Sequence, residues 1–341
     1  MGHHYLKITM IITRTPLRIS FVGGGSDLPA FYEQERGAVL STAINKYIYI
    51  TVNRKFDHEI RASYSITEIV DNVDDLQHEL IREALKLLHL KQGIEITSIS
   101  DIPSGGTGLG SSSSYTVGLL NALYAHRHYM AGAERLAREA CNIEIELCGK
   151  PIGKQDQYIA AYGGIQYIRF NPDGSVFTDP VLCHPETYET LQQNLILLYT
   201  GLTRSADDIL VEQSRQVSSD DSKRIGTRRL VELADQLHEA LGRNDVDAFG
   251  EILHTGWMEK RKLARNISNH SIDIWYEKAR TAGAIGGKLL GAGGGGFLLL
   301  YAPPEKHHAI VRALPDLQWK PFYFSPQGSK VIYVEESGYK P

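Results

Sequence analysis

A glycine- and serine-rich segment near residue 110 constrains the fold of this chain more than any other feature. Residues 103–114 read PSGGTGLGSSSS, between a strand-like run at 94–99 and a helix-like run from 111 to about 126. Glycine permits positive φ angles and a close approach of the backbone to a ligand. The unpaired N–H groups at a helix N-terminus attract anions. The segment therefore predicts a phosphate-binding loop, although a flexible linker would have a similar composition.

The residues that follow favour a helix over a linker. Apolar side chains recur there at helical spacing, at Tyr115, Leu119, Leu120, Leu123 and Tyr124. No Lys-Ser or Lys-Thr pair follows the last glycine, so the segment is not a Walker loop. It is also serine-rich and lies well inside the chain, unlike the dinucleotide-binding fingerprint. The segment therefore indicates a phosphate-binding loop of a class other than these two.

Length and composition bound the class of protein. The chain has 341 residues, enough for two domains, and is 42% hydrophobic and 22% charged, which is ordinary for a globular protein. A net charge of −4 argues against a nucleic-acid partner, and no run of about eighteen apolar residues predicts a membrane helix. The three cysteines lack metal-binding spacing, and no signal-peptide segment is evident. We expect a cytoplasmic protein; no heptads are present from which to predict an oligomeric state.

Three other segments carry glycines or charged residues in loops. Residues 16–27 read PLRISFVGGGSD, in which an alternating apolar strand runs into three glycines. Residues 149–158 read GKPIGKQDQY and form a loop that leads into a new segment. Residues 286–297 read GGKLLGAGGGGF and precede a predicted strand at 297–301. So many glycines between a helix and a strand are more than a spacer requires.

The glycine-rich segments resemble the three sequence motifs of the GHMP kinases, which include galactokinase, homoserine kinase, mevalonate kinase and phosphomevalonate kinase. Residues 16–27 resemble the first motif, residues 103–112 the second, whose core ends in G-L-G-S-S, and residues 288–296 the third. The motifs follow one another in the order found in that family. The resemblance implies an ATP-dependent kinase that acts on a small molecule.

The resemblance covers essentially all of residues 10–341. It implies an α+β, two-domain GHMP kinase fold with the active site between the domains. We expect an N-terminal domain at 10–185, which carries the ATP loop and the catalytic residues, and a C-terminal domain at 186–341.

The resemblance also implies ATP and Mg²⁺ as cofactors. Mg²⁺ would bind the hydroxyl of Ser112 and the carboxylate of Glu144. Glu146 is the alternative carboxylate, because both glutamates flank the same apolar stripe of a predicted helix. The ATP phosphates would bind backbone N–H groups of the glycine-rich loop, at Gly105, Gly106, Thr107, Gly108, Leu109, Gly110, Ser111 and Ser112.

Two residues are the catalytic candidates implied by the resemblance. Residues 149–157 resemble the galactokinase-like pattern G-x-P-x-G-x-x-D-Q, in which Asp156 takes the place of the aspartate assigned as catalytic base. Arg18 would offset charge on the transferred phosphoryl group, although it could instead be an exposed strand residue. Arg18 or Lys154 would be the cationic neighbour of Asp156.

The same resemblance places other residues at the phosphoryl acceptor. Asp27, Gly24, Gly25 and Gly293 would contact the substrate, although Asp27 could instead cap the helix that follows it. Arg204 is a candidate contact for a second phosphate group on the substrate, or else a charge at a helix start. Further candidates for such a phosphate are Lys46, Arg54 and Lys288.

Within the family, residues 15–27 and 199–205 look most like the D-glycero-D-manno-heptose 7-phosphate kinases. These enzymes phosphorylate the anomeric hydroxyl to give the 1,7-bisphosphate, for the synthesis of nucleotide-activated heptose. The galactokinase signature Gly-Glu-His-Thr-Asp is replaced here by GGGSD at 23–27. The sequence therefore predicts a sugar phosphate as substrate, with a galactokinase- or fucokinase-like activity, or a catalytically silent sugar sensor, as the alternatives.

Overall fold

Two β-sheets organise the computed structural model, which describes residues 7–103, 106–203 and 206–337. Within these residues the first sheet has eight strands: β1 (Lys7–Val22), β2 (Gly37–Arg54), β3 (Ile60–Ser63), β4 (Thr67–Val70), β5 (Ile94–Ser100), β6 (Ile165–Phe170), β7 (Val176–Pro180) and β12 (Lys330–Ser337). Its order is β12-β1-β2-β5-β3-β4, and β6 joins β2 to β7. The second sheet contains β8 (Leu195–Tyr199), β9 (Gly286–Leu289), β10 (Phe297–Tyr301) and β11 (Gln318–Trp319), in the order β11-β8-β10-β9.

The helices of the described residues follow the apolar periodicity of the sequence. They are α1 (Pro29–Tyr32), α2 (Glu79–Leu87), α3 (Ser111–His126), α4 (Ala133–Cys141), α5 (Gln155–Tyr162), α6 (Pro185–Gln193), α7 (Ala206–Ser219), α8 (Asp221–Gly242), α9 (Asp247–Lys260), α10 (His270–Thr281) and α11 (His307–Ala313). None of them is long and apolar enough to cross a membrane. The mixture of helices and sheets agrees with the predicted α+β class.

The long strand β1 lies in the interior of the molecule. Residues 15–22 are all buried, because α3, α5, α8 and α9 pack on this strand. Strands covered in this way are normally continuous apolar runs. The charged side chain of Arg18 within the run is therefore an exception that needs a specific set of partners.

The last strand of the chain returns to the first sheet. β12 pairs antiparallel with β1, with Lys330 opposite Arg14 and Glu336 opposite Ile8. The strands of the second sheet lie between residues 195 and 319. The division near residue 185 stays a prediction, and β12 adds a segment from beyond it to the sheet that the earlier residues form.

One predicted helix begins later than expected. The sequence predicts a helix at 74–89, but Val73–Asp75 is a short 3₁₀ turn and Leu76 is extended, with φ of −62° and ψ of 128°. The helix α2 starts after this residue, where Nδ1 of His78 accepts the N–H of Ile81 at 3.4 Å. Leu76, which stands at helical spacing in the sequence, is therefore buried in a turn and is not part of the helix.

Another predicted helix changes its winding. The sequence predicts one helix at 134–148, whereas α4 is followed by a π-helical segment, Asn142–Leu147. In this segment the N–H of Cys148 donates to the carbonyl of Ile143. Such insertions often occur at functional sites, because they redirect side chains that a regular helix would place elsewhere. Glu144 lies within the segment.

The sequence indicated the helix α7 only through the alternative of a helix start at Arg204. Its buried positions are Ile209, Gln213 and Val217, each four residues from the next. A glutamine in the middle position interrupts the apolar stripe by which an amphipathic helix is recognised. The same glutamine proves to face the cavity described below.

Candidate active site

A cavity of about 700 Å³ opens beside the glycine-rich loop and the N-terminus of α3. Its walls combine residues from the loops after β1 and β9 with residues of α5, α7 and α9. The charged and polar side chains in these walls include Arg18, Asp27, Asp156, Gln213, Lys260 and Lys288. The cavity therefore lies between the N-terminal and the C-terminal parts of the chain.

The cradle, defined here as residues 106–112, ends at the start of α3. Gly106, Gly108 and Gly110 have φ of 68°, 75° and 74°. Gly110 is the N-cap residue, and the first hydrogen bond of the helix joins the N–H of Ser114 to its carbonyl at 3.0 Å. The preceding N–H groups have no partner within the helix and are available to an anion.

The third glycine-rich segment lies directly against the cradle. A Cβ atom at Gly108 would lie 2.6 Å from the carbonyl oxygen of Leu290, and one at Gly291 would lie 2.5 Å from Cα of Gly108. A Cβ at Gly296 would collide with the carbonyl of Thr107. Two backbone segments far apart in sequence thus form one continuous wall. A side chain at any of these three glycines would push the two segments apart.

Arg18 and Asp156 form a bidentate ion pair at the cradle. Nε of Arg18 donates to Oδ1 of Asp156 at 2.7 Å and Nη2 donates to Oδ2 at 2.6 Å. The third arm, Nη1, donates to the carbonyl of Gly108 at 2.5 Å. A Cβ at Gly110 would lie 3.2 Å from Oδ2 of Asp156, so the carboxylate lies beside the N-cap residue of α3. Arg18 is therefore not an exposed strand residue.

Lys154 points away from this pair. Its ammonium group donates to the carbonyl of Gly174 at 3.1 Å and lies 4.5 Å from the ring centroid of Tyr32. Of the two cations considered from the sequence, Arg18 is thus the neighbour of Asp156.

Asp27 is buried and does not cap α1, whose N-cap residue is Leu28 and has no side-chain cap. Its carboxylate accepts the N–H of Gly25 at 3.0 Å and both N–H and side-chain amide donors of Gln155. Burial raises the pKa of Asp27, and the charge of Asp156 raises it further, whereas the backbone donors lower it. The alternative of a capping role is therefore wrong, and Asp27 instead joins the loop after β1 to the start of α5.

Glu144 lies behind Ser112 and is fully buried, whereas Glu146 is exposed. The hydroxyl of Ser112 donates to Oε1 of Glu144, and the amide of Gln157 donates to Oε2 at 2.7 Å. Burial raises the pKa of Glu144 to about 7, although these hydrogen bonds act in the opposite direction. The described residues contain no cluster of three or more His, Cys, Asp or Glu side chains that could hold a metal.

The remaining predicted residues line the cavity, lie away from it or fall outside the described residues. Thr107 and Ser111 of the cradle line the cavity, whereas Lys46 and Arg54 do not. Gly24, Gly25 and Gly293 line the cavity. Leu109 packs its side chain in the core, and its carbonyl accepts the N–H of Arg18 at 3.0 Å. Two predicted residues, Gly105 and Arg204, lie outside the described residues.

Among the polar residues of the cavity wall, Lys260 and Gln213 were not predicted from the sequence, and Lys288 was only one of several phosphate candidates. Lys260 ends α9 on the buried stripe that includes Leu253 and Trp257, and Gln213 occupies the corresponding kind of position in α7. A polar residue at a core position of an amphipathic pattern was the available signal. Lys288 is also buried, and its amine donates to the carbonyls of Ser20 and Phe21 at 2.8 and 2.9 Å.

Part of the cavity wall is aromatic. Tyr64, His78 and Tyr115 line it. The rings of His78 and Tyr115 are stacked, with centroids 5.1 Å apart and planes 27° apart, and Tyr64 meets His78 edge to face at 4.5 Å. A flat apolar ring could lie against such a wall.

The fold and the site are those of a small-molecule phosphotransferase, with a glycine-rich cradle at a helix N-terminus and an arginine–aspartate pair beside it. Two family patterns match the chain: the GHMP kinases N terminal domain at residues 78–164 and the GHMP kinases C terminal domain at residues 237–318. The chain belongs to the GHMP kinases, which are ATP-dependent kinases.

Individual relatives support the same assignment over nearly the whole length. The chain is 30% identical over 335 residues to the D-glycero-alpha-D-manno-heptose 7-phosphate kinase of Campylobacter jejuni, covering 94% of this chain and 98% of that protein. It is 25% identical to the galactokinase of Pyrococcus furiosus, covering 96% of this chain and 100% of that protein. The crystal structure of a D-glycero-D-manno-heptose 1-phosphate kinase from Bacteroides thetaiotaomicron superposes with a TM-score of 0.79 at 25% identity, over 95% of this chain and 99% of that one.

Proposed function

We propose that the protein transfers a phosphoryl group from ATP to the anomeric hydroxyl of D-glycero-D-manno-heptose 7-phosphate, giving the 1,7-bisphosphate for the synthesis of nucleotide-activated heptose. The similarity to the heptose 7-phosphate kinase of Campylobacter jejuni, which spans nearly all of both chains, supports the choice of substrate. The observation that carries the chemistry is the bidentate pair of Arg18 and Asp156 at the cradle. The synthesis of nucleotide-activated heptose from ATP would place the protein in the cytoplasm.

The cavity suits ATP at two of its walls. The N–H groups of the cradle, together with the dipole of α3, would hold the phosphate groups. The aromatic wall of Tyr64, His78 and Tyr115 would accommodate the base. Gly291 and its neighbours, packed on the cradle, would keep water from the phosphates.

The site also suits Mg²⁺. The cation prefers oxygen ligands and needs only one or two from the protein when phosphates and water supply the others. Glu144 and Ser112 offer a carboxylate and a hydroxyl oxygen in contact with each other. Burial raises the pKa of Glu144, and a bound cation would offset the cost of ionising this buried carboxylate. When bound, Mg²⁺ would neutralise charge on the transferred phosphates.

Arg18 and Asp156 would divide the work of transfer between them. Phosphoryl transfer depends mainly on positioning and on electrostatic stabilisation of a charge-rich transition state. Asp156, oriented by two hydrogen bonds, would accept the proton of the attacking hydroxyl. The guanidinium of Arg18 would offset charge on the transferred group.

The acceptor side of the cavity presents polar groups without partners. The amide nitrogen of Gln213 is buried and has no hydrogen-bond partner among the described residues, and the same holds for the hydroxyl of Ser20 and for Oε1 of Gln155. All three residues line the cavity. Buried polar groups of this kind are costly unless a ligand satisfies them. A hydroxyl-rich sugar would do so. The contact of Arg204 with the sugar phosphate stays a prediction.

The test is an ADP-release assay with a panel of sugars and sugar phosphates, followed by phosphorus NMR of the product. We expect ADP release with the heptose 7-phosphate and a new phosphate at the anomeric carbon, and release about 10²- to 10⁴-fold slower by the Asp156→Asn variant. Comparable kcat/KM for free galactose or fucose would instead support a galactokinase- or fucokinase-like activity. Sugar binding without ADP release for any acceptor would support a silent sensor.

A further inference from the structure

Lys260 is a buried lysine that the mechanism above does not use. It lies in the last turn of α9 and is 6% exposed, yet it lines the cavity. Its ammonium group donates to the carbonyl of Gly291. An ammonium group has three N–H donors, and within the described residues no carboxylate forms a salt bridge with it. The charge is thus buried with only part of its hydrogen bonding satisfied.

Lys288 provides the contrast, because it is equally buried but has two carbonyl acceptors. Those acceptors belong to Ser20 and Phe21 on β1, so this amine connects β9 to the first sheet. Its burial lowers its pKa well below the usual value. Lys288 therefore has the contacts of a structural residue, whereas Lys260 lacks an equivalent set.

The position of Lys260 indicates what it would bind. Its acceptor Gly291 is packed on Gly108 of the cradle, and the carbonyl of Gly108 in turn accepts from Arg18. The ammonium group thus belongs to the part of the cavity that holds the arginine–aspartate pair. A buried cation beside an anion-binding loop, without an anionic partner from the protein, is expected to be paired by a bound anion.

We propose that Lys260 is a further catalytic residue, whose ammonium group binds an oxygen of the phosphoryl group in transfer. The assignment rests on the kinase activity proposed above. A second cation near Arg18 would oppose the charge that develops on the phosphoryl oxygens, and it would stand on the C-terminal part of the chain.

The charges around Lys260 make the proposal testable by pH. The pKa of Lys260 is lowered to about 8, first by burial and then by the charge of Arg18 on β1, although Asp27 and Asp156 raise it; Lys288 on β9 is a further cation nearby. Above this pH the free enzyme would lose the ammonium charge. The kcat/KM of the wild type, which reports free-enzyme pKa values, should therefore fall as the pH rises through about 8. An arginine at the position stays charged, so Lys260→Arg should lose this decline.

The main test compares Lys260→Met, Lys260→Arg and the control Lys262→Met, whose lysine is exposed and paired with Glu259. We expect Lys260→Met to lower kcat by about 10²- to 10³-fold, as removal of one charge-stabilising donor does, while Lys262→Met leaves kcat unchanged. The melting temperature of Lys260→Met should stay the same or rise, because an apolar chain replaces a buried charge. A kcat near the wild-type value would overturn the proposal. So would a rise confined to the KM of the sugar phosphate, which would assign Lys260 to the phosphate of the acceptor.

A binding measurement keeps the two proposals separable. If the wild type turns over no acceptor, the proposed function fails, and the affinity for a non-hydrolysable ATP analogue then decides the role of Lys260. We expect Lys260→Met to weaken this affinity relative to the wild type and to leave the affinity for AMP unchanged. Equal affinities for the triphosphate would contradict the proposal. If Lys260→Met does not fold, the pH profiles of kcat/KM test the proposal instead: the wild type should decline through about pH 8 and Lys260→Arg should not. Identical profiles would contradict the proposal.

Discussion

Arg18 and Asp156 are joined by two parallel hydrogen bonds, of 2.7 and 2.6 Å, although 138 residues separate them in the chain. The arginine comes from the middle of a buried strand and the aspartate from the first turn of α5. Parallel bonds of this kind fix the orientation of the carboxylate as well as its position. The base proposed for the reaction is therefore held in place before any substrate binds.

The first prediction concerns Asp156. Asp156→Asn should lower kcat by about 10²- to 10⁴-fold, the usual contribution of a positioned general base. The affinity for the ATP analogue should change little, because the phosphates are proposed to bind the backbone N–H groups of the cradle and not Asp156. Steady-state kinetics and calorimetric titration measure the two quantities. A variant that retains most of its turnover would show that Asp156 only orients the acceptor.

The second prediction separates the two glutamates. Glu144→Gln should raise the Mg²⁺ concentration required for half-maximal activity, because the variant loses the charged ligand beside Ser112. Glu146→Gln is the matched control and should behave as the wild type, since its side chain is exposed. Treatment with EDTA should abolish ADP release by the wild type, and added Mg²⁺ should restore it. Turnover that survives EDTA would refute the metal assignment.

The third prediction tests the unpartnered amide of Gln213. Gln213→Leu should raise the KM for the sugar by about 5- to 10-fold, the effect of losing one neutral hydrogen bond. The KM for ATP should stay constant, because the amide of Gln213 lies next to Gly25, which is proposed to contact the sugar and not the nucleotide. Gln216→Leu on the same helix serves as the control. An unchanged sugar KM in both variants would mean that Gln213 has no part in sugar recognition.

The fourth prediction concerns the contact between the cradle and the third glycine-rich segment. Gly108→Ala should lower the free energy of unfolding by about 1–2 kcal/mol through its left-handed backbone alone, and the collision with Leu290 should add to this loss. Nucleotide affinity should fall as well. Gly242→Ala, in the last turn of α8 where no atom from elsewhere in the described residues lies within 4 Å of the new Cβ, should leave nucleotide affinity unchanged and should not lower the free energy of unfolding. Urea unfolding and nucleotide titration are the measurements.

Much of the cradle was accessible from the sequence, because its determinants are local. The helix expected from 111 to about 126 is α3 (Ser111–His126), and the strand expected at 297–301 is β10 (Phe297–Tyr301). Positive φ angles at Gly106, Gly108 and Gly110 need glycine, and glycine is visible in a sequence. Motif order was likewise sufficient to predict the family and the two-domain α+β fold.

Other features depended on residues that meet only in the folded chain. The sequence left open whether Glu144 or Glu146 lies beside Ser112, because both flank one stripe of a regular helix; a π-helical segment buries Glu144 and leaves the other exposed. It also left Asp27 between capping and substrate binding; the structure excludes the cap and joins Asp27 to Gln155, while substrate binding stays a prediction. Lys260 and Gln213 were missed because each is a polar residue that is buried by segments distant in sequence. The only local sign of this burial is an interruption of the apolar stripe of the helix. The sequence by itself thus determined the family and the phosphate loop, which are set by local backbone requirements. The tertiary structure alone decided which charges face one another, because those pairings join segments up to hundreds of residues apart.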